Sequence, residues 1–153
     1  MGHVRDTFHV DASPDRVWAL ETDLSRYSEW QAGIFEMKDI TGPLDQVGSK
    51  FTAVVQVMGR RLEATSEVTK VEPGKLIEEH GSVVGGGPAV STIRIEPVSG
   101  GTDITVELDY ELPGGPIGDI ADKLFMERAI ERQIRHSNEN FKALAEAKVG
   151  VTA

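Results

Sequence analysis

An α+β chain is expected, with an antiparallel sheet of about seven strands followed by one long helix. Three features point there. Ile104, Val106, Leu108, Tyr110 and Leu112 alternate with Thr105, Glu107, Asp109 and Glu111, the period-two pattern of a strand with one wet face. Turn signals recur every 8–14 residues through the middle of the chain, as in a meander. After Gly118 no proline or glycine interrupts the chain up to Ala147, and Met126, Ile130, Ile134, Ser137, Phe141 and Leu144 fall on one helical face.

The elements follow in order. Val4, Asp6, Phe8 and Val10 alternate with His3, Arg5, Thr7 and His9, giving a first strand. Ser13 is then placed to cap a helix, Pro14 fits its first position and Asp15 favours its positive end. Val17, Trp18 and Leu20 give that short helix an apolar side. Thr22 or Asp23 caps a second short helix ending near Trp30. Strands are expected over 34–40, stopped by Gly42-Pro43, and over 49–58, with Phe51, Ala53, Val55 and Val57 on one face. Gly59-Arg60 turns the chain into Leu62, Ala64, Ser66 and Val68, which oppose Glu63, Thr65, Glu67 and Thr69. Pro73-Gly74 leads to a strand over 76–84, the loop Gly85-Gly86-Gly87-Pro88 to another over 90–96, and Ser99-Gly100-Gly101 to the last. Ile117, Ile120, Ala121 and Leu124 form a stripe rotated away from the later helix face. Either the helix kinks near Phe125, or these turns meet a lid, a homodimer partner or a ligand entrance, or form an irregular helix start packed on a loop. One domain over 1–148 with a frayed tail at 149–153 is expected.

Composition removes several classes of function. A chain of 153 residues buries roughly 68–70% of its unfolded surface, enough for a core without staples. There is no cysteine, so neither a disulfide framework nor a thiolate metal site can form. Sixteen Lys+Arg face 25 Asp+Glu, for a charge of −9. A nucleic-acid partner needs a basic footprint, and only the Arg60-Arg61 pair offers one, so none is expected, nor is stable membrane insertion. No apolar run approaches the ~18 residues of a spanning helix. The start MGHVRDTFHV lacks a signal peptide's apolar stretch, so the cytoplasm is the expected location.

The segments VDASPDRVWAL, DLSRYSEW, VGSKF, EVTKVEPGKL, GGTDITVELDYEL and NENFKALAEA occur in that order across almost the whole chain. Together they resemble the START-like superfamily often called SRPBCC, and within it the bacterial polyketide cyclase/dehydrase branch. The resemblance implies a helix-grip fold, in which a curved antiparallel sheet wraps the long helix and the two short helices close one end of the gap. It also implies an internal cavity for an apolar or amphipathic small molecule, and no cofactor. The inner strand faces carry small residues among large ones, Ala53, Ala64, Ser66 and Ser91. They would either leave space or let the helix come close.

Candidate ligand contacts on these faces are Phe51, Val55, Ser66, His80, Ser91, Tyr110, Ile130, Ile134 and Ser137, and the resemblance implies Trp30 as a further one. His80 follows Glu78-Glu79 on a strand. It is either a general base beside a carboxylate or a solvent-facing strand residue. Glu78 and His80 share a face and Glu79 takes the other. The Tyr110 hydroxyl either orients a polar ligand group or reaches water. Ser137 and Gln133 either donate to a ligand or bond the preceding turn. Arg94 shares an exposed face with Thr92 and Glu96. His3, His9 and His136 are scattered and no H-E-x-x-H occurs, so no metal site is expected. The triple glycine lacks a following Lys-Ser/Thr, and no nucleophile elbow is present. Three functions fit: a binder of a hydrophobic, lipid- or polyketide-like molecule; a cyclase/dehydratase closing rings by aldol condensation and water loss, with His80, Tyr110 and Ser66 as catalytic candidates; or a protein-interaction adapter.

Overall fold

The computed structural model describes residues 2–57, 59–83, 87–112 and 120–147. Its sheet contains β1 (Gly2–Val10), β2 (Ile34–Lys38), β3 (Lys50–Val57), β4 (Arg60–Glu72), β5 (Leu76–Ser82), β6 (Pro88–Val98) and β7 (Gly101–Tyr110). The order across the sheet is β1-β7-β6-β5-β4-β3-β2, and every pairing is antiparallel. Strands β2 to β7 are therefore a meander, with β1 added beyond its last strand. Between β1 and β2 lie α1 (Pro14–Thr22), a 3-10 turn at Leu24–Arg26 and α2 (Tyr27–Trp30); α3 (Ile120–Glu146) follows the sheet. This is the helix-grip arrangement.

Local chemistry explains where elements start and stop. The Ser13 hydroxyl accepts the Arg16 N–H at 3.2 Å, and Pro14 opens α1. The second helix expected up to Trp30 is divided. Asp23 accepts the Ser25 N–H and starts the 3-10 turn, while Arg26, at φ −106° and ψ 2°, breaks the helical run before α2. Strand β6 begins at Pro88, two residues earlier than expected, because a proline is tolerated at the first residue of a strand.

The sheet is bent. Its register shifts between Val68 and Lys70 on β4 and between Ile34 and Glu36 on β2, and such bulges bend and twist a strand. The outer face of the β1–β7 pair is polar: His3 meets Asp109 at 2.6 Å, Arg5 meets Glu107 at 3.3 Å and His9 meets Asp103 at 2.9 Å.

Two groups of buried side chains hold α3 to the concave face. Near its C-terminal end, Phe141 packs edge-on against Phe8 and Trp30, in a cluster with Val10, Val17, Val68 and Ile104. Toward its N-terminal end, Ile130 joins Val4, Val83 and Tyr110. Polar ties run alongside. Asp6, on the inward face of β1, accepts from Arg135 at 2.8 Å and Asn138 at 2.9 Å. Arg16 of α1 donates to the Ala145 and Ala147 carbonyls, both at 2.7 Å. It supplies the cation that the last turn of α3 lacks.

Helix α3 runs unbroken through Phe125, and Leu124 and Phe125 are both about half exposed. The remainder of the expected stripe (Ile117, Ile120, Ala121), most of the glycine loop and the tail at 149–153 lie outside the described side chains.

Gly81 marks a close approach of β4 to β5. A Cβ there would stand 1.8 Å from the Thr65 carbonyl oxygen. Gly81→Ala is expected to cost ~2 kcal/mol or more in urea unfolding; an unchanged midpoint would show that the two strands can separate freely at this point.

Candidate functional site

A cavity of about 240 Å³ lies between the concave face and α3. Its origin is the size of the inward side chains. Across the middle of the sheet, β3 to β6 turn Ala53, Ala64, Ser66, Gly81, Ala89 and Ser91 toward the helix. The register sets these positions in facing pairs: Ala53 with Ala64, Ser66 with Gly81, Gly81 with Ala89. Larger residues bracket them, with Phe51 and Ile93 toward one end and Val83 and Leu108 toward the other. The four small residues identified in the sequence leave space here and do not bring α3 closer.

Of the expected ligand contacts, Trp30, Phe51, Val55, Ser66, Ser91, Ile130, Ile134 and Ser137 line the cavity. Ser137 is already engaged: its hydroxyl accepts the Ala32 N–H at 2.9 Å. Gln133 donates to the Ala32 carbonyl at 2.8 Å, and Asn140 to the Trp30 carbonyl at 3.2 Å. These three side chains of α3 pin the segment after α2, and so hold Trp30 in the wall. The Trp30 indole N–H is buried without an acceptor among the described residues, so packing against Tyr27 and Phe141 orients the ring.

Two expected residues stand elsewhere. His80 is on the outer face of β5, half exposed, its Nε2 3.0 Å from Glu78. Parity requires this: Ile77, Glu79 and Gly81 point inward, so Glu78 and His80 point to water. Tyr110 is buried, but in the cluster with Val4, Val83 and Ile130 and beside Gly2, off the cavity wall. The large neighbours Leu108 and Ile130 fill the space between it and the hollow.

The inward parity of β5 instead delivers Glu79, and α1 delivers Glu21. Both are buried and both line the cavity. Val17, Leu20 and Glu21 are buried on one side of α1, the i, i+3, i+4 spacing of a core stripe that the sequence continues to Leu24 at i+7 in the following turn. That spacing was the available signal for Glu21, obscured because one of the four residues is acidic. The Ser66 hydroxyl donates to Glu79 Oε1 at 2.7 Å. Glu21 has no hydrogen-bond partner among the described residues. Burial, then the nearby Glu79 charge, pushes the Glu21 carboxyl up to about 8. Burial also raises Glu79, opposed by the Ser66 hydrogen bond. Tyr27 completes the group; burial and both carboxylates raise its phenol. Among the described residues, no Lys, Arg or His lines the cavity. Among the described residues no three His, Cys, Asp or Glu are grouped to hold a metal ion.

The raised Glu21 carboxyl makes stability depend on pH. The folded state keeps a proton that the unfolded chain, with an ordinary value of 4.5, has released. Stability from this group is therefore full below about pH 4.5 and falls as pH rises through about 8. Urea midpoints measured from about pH 5 to about pH 9 should decline for the wild type and decline less for Glu21→Gln. Parallel curves for the two proteins would contradict a buried, titrating Glu21.

Comparisons with known proteins agree with this architecture. A protein of Mycobacterium tuberculosis, itself described as uncharacterised, is 29% identical over 152 residues, covering 94% of this chain and 99% of its own. The solved ZhuI aromatase/cyclase from a Streptomyces species superposes with a TM-score of 0.78 at 18% identity, covering 99% of this chain and 97% of that one. A START superfamily protein from Mycobacterium smegmatis gives 0.64 at 19%, covering 90% and 99%. No described helix is long and apolar enough to cross a membrane. Residues 1–146 match the family described as polyketide cyclase / dehydrase and lipid transport, and the chain belongs to that family.

Proposed function

We infer that the protein binds a small apolar or amphipathic molecule in the hollow between the sheet and α3. The observation that carries this is the cavity itself, about 240 Å³ with mostly apolar walls, in a chain of a family described by cyclisation, dehydration and lipid transport. The volume lies just below the usual range for small-molecule sites, which favours a compact ligand over a long lipid. A guest losing about 200 Å² of apolar surface to these walls gains roughly 5 kcal/mol before the cost of immobilisation.

A second reading, a cyclase/dehydratase, draws on the polar groups of the same wall. Ser66 with Glu79, and Glu21 beside them, offer a proton acceptor and a proton donor at one place, the pairing that acid–base chemistry on a carbonyl needs. In this reading Ser66 remains a candidate from the sequence, and the two carboxyls replace His80 and Tyr110.

Filling the hollow tests the binding reading. n-Octanol, titrated calorimetrically, is expected to bind the wild type, and Ser91→Leu to weaken it about tenfold or more while keeping the fold. Native mass spectrometry of freshly purified protein should show an apolar small molecule lost in the same variant. Octanol binding unaffected by both Ser91→Leu and Ala64→Leu would place the ligand outside this cavity and overturn the reading.

A further inference from the structure

The polar end of the cavity has an unusual composition. Its two ionisable acids are buried, one of them without a hydrogen-bond partner among the described residues, and no basic side chain lines the same space. Aromatic rings line the same cavity, with Tyr27 beside both acids. Tyr27, Trp30 and Phe51 all line the cavity, with ring centroids 4.8 Å apart for Tyr27–Trp30 and 5.9 Å for Tyr27–Phe51.

An ionised carboxylate in such a place needs a positive partner, and the described cavity lining provides none. A protonated amine would supply it. Its charge would be shared by two carboxylates, and the faces of aromatic rings attract a desolvated cation further. A carboxylate or phosphate would meet two acids and no cation, so the same groups reject anionic amphiphiles. A neutral alcohol or ketone could use the apolar wall but would leave the charge of the pair uncompensated.

We propose that this end of the cavity is an ammonium site: the ligand is a compact cationic amphiphile whose protonated amine lies between Glu21 and Glu79 against the rings of Tyr27, Trp30 and Phe51, with its apolar body along the small residues of β3 to β6. This rests on the cavity being the ligand site. In the empty protein Glu21 holds a proton near neutral pH. Binding an ammonium group displaces that proton to solvent, leaving an ion pair. The titratable groups facing Glu21 are Glu79 from β5 and Tyr27 from α2; α3 contributes the uncharged Asn138 and Ser137 to this wall. Amine affinity therefore rises between about pH 6 and about pH 8 as Glu21 loses its proton, while an alkylamine, titrating near a lysine, stays charged.

The test compares n-octylamine, n-octanol and octanoate on the intact protein by calorimetry. Near pH 7 octylamine should bind about tenfold or more tighter than octanol, and octanoate weaker than either. Titrations in buffers of different ionisation enthalpy should show release of up to about one proton per octylamine bound and none for octanol. Glu21→Gln and Glu79→Gln should each remove most of the preference for octylamine over octanol. The wild-type comparison and the second variant keep the test valid if one substitution impairs folding. Octanol binding with no preference for octylamine, or a preference that survives both substitutions, overturns the ammonium site and leaves the apolar cavity standing. Failure of octanol and octylamine alike overturns the cavity reading itself.

Discussion

A straight helix cannot follow a concave sheet along its whole length, and the rest of this structure is arranged around that mismatch. Contact is made at two places. Phe141 is held by Phe8 and Trp30 toward one end of α3, and Ile130 by Val4, Val83 and Tyr110 toward the other. Between them the sheet offers alanine, serine and glycine, whose side chains are too short to reach the helix. Large residues there would have closed the core at native density. The hollow is thus a property of side-chain volume set on a bent frame, and the polar ties from Asp6 and Arg16 keep the helix from sinking into it.

The same frame tolerates groups that an ordinary core would exclude. Two buried carboxyls and an indole N–H without an acceptor each oppose stability. Glu79 is partly relieved by Ser66, and Glu21 by keeping its proton. Such costs concentrate where a protein does something other than fold. Both acids sit in the wall of the cavity between the sheet and α3, so the departure from core chemistry and the cavity coincide. Outside, the charged residues form cross-strand pairs on wet surface, where their energetic weight is small.

The legible part of the fold was whatever obeys a strict period. The alternation from Ile104 to Tyr110 and the Ser13-Pro14 signal appear in the structure as β7 and the start of α1. Parity along β5 also contained the residue that lines the cavity. It tied Glu78 to His80 and set Glu79 apart, but periodicity does not say which side of a strand is inside. Chemical habit drew attention to the histidine, while Ile77 and Gly81 place the glutamate in the wall. Glu21 was hidden for a related reason: a helix stripe is read from apolar residues, and an acid within it passes for surface. The roles of Ser137, Gln133 and Asn140 depend on where the backbone of Ala32 and Trp30 runs, more than 100 residues away in the chain, and no local pattern carries that information.

The central claim is that the middle of the sheet stays open. The most direct measurement is a high-resolution crystal structure of the purified protein, with xenon introduced under pressure if no ligand is retained. The account predicts density for a ligand or for xenon bounded by Ala53, Ala64, Gly81 and Ser91 on the sheet and by Ile130 and Ile134 on α3. Side chains of Trp30, Phe51 or Ile134 found packed into that space, with no room for either guest, would contradict it.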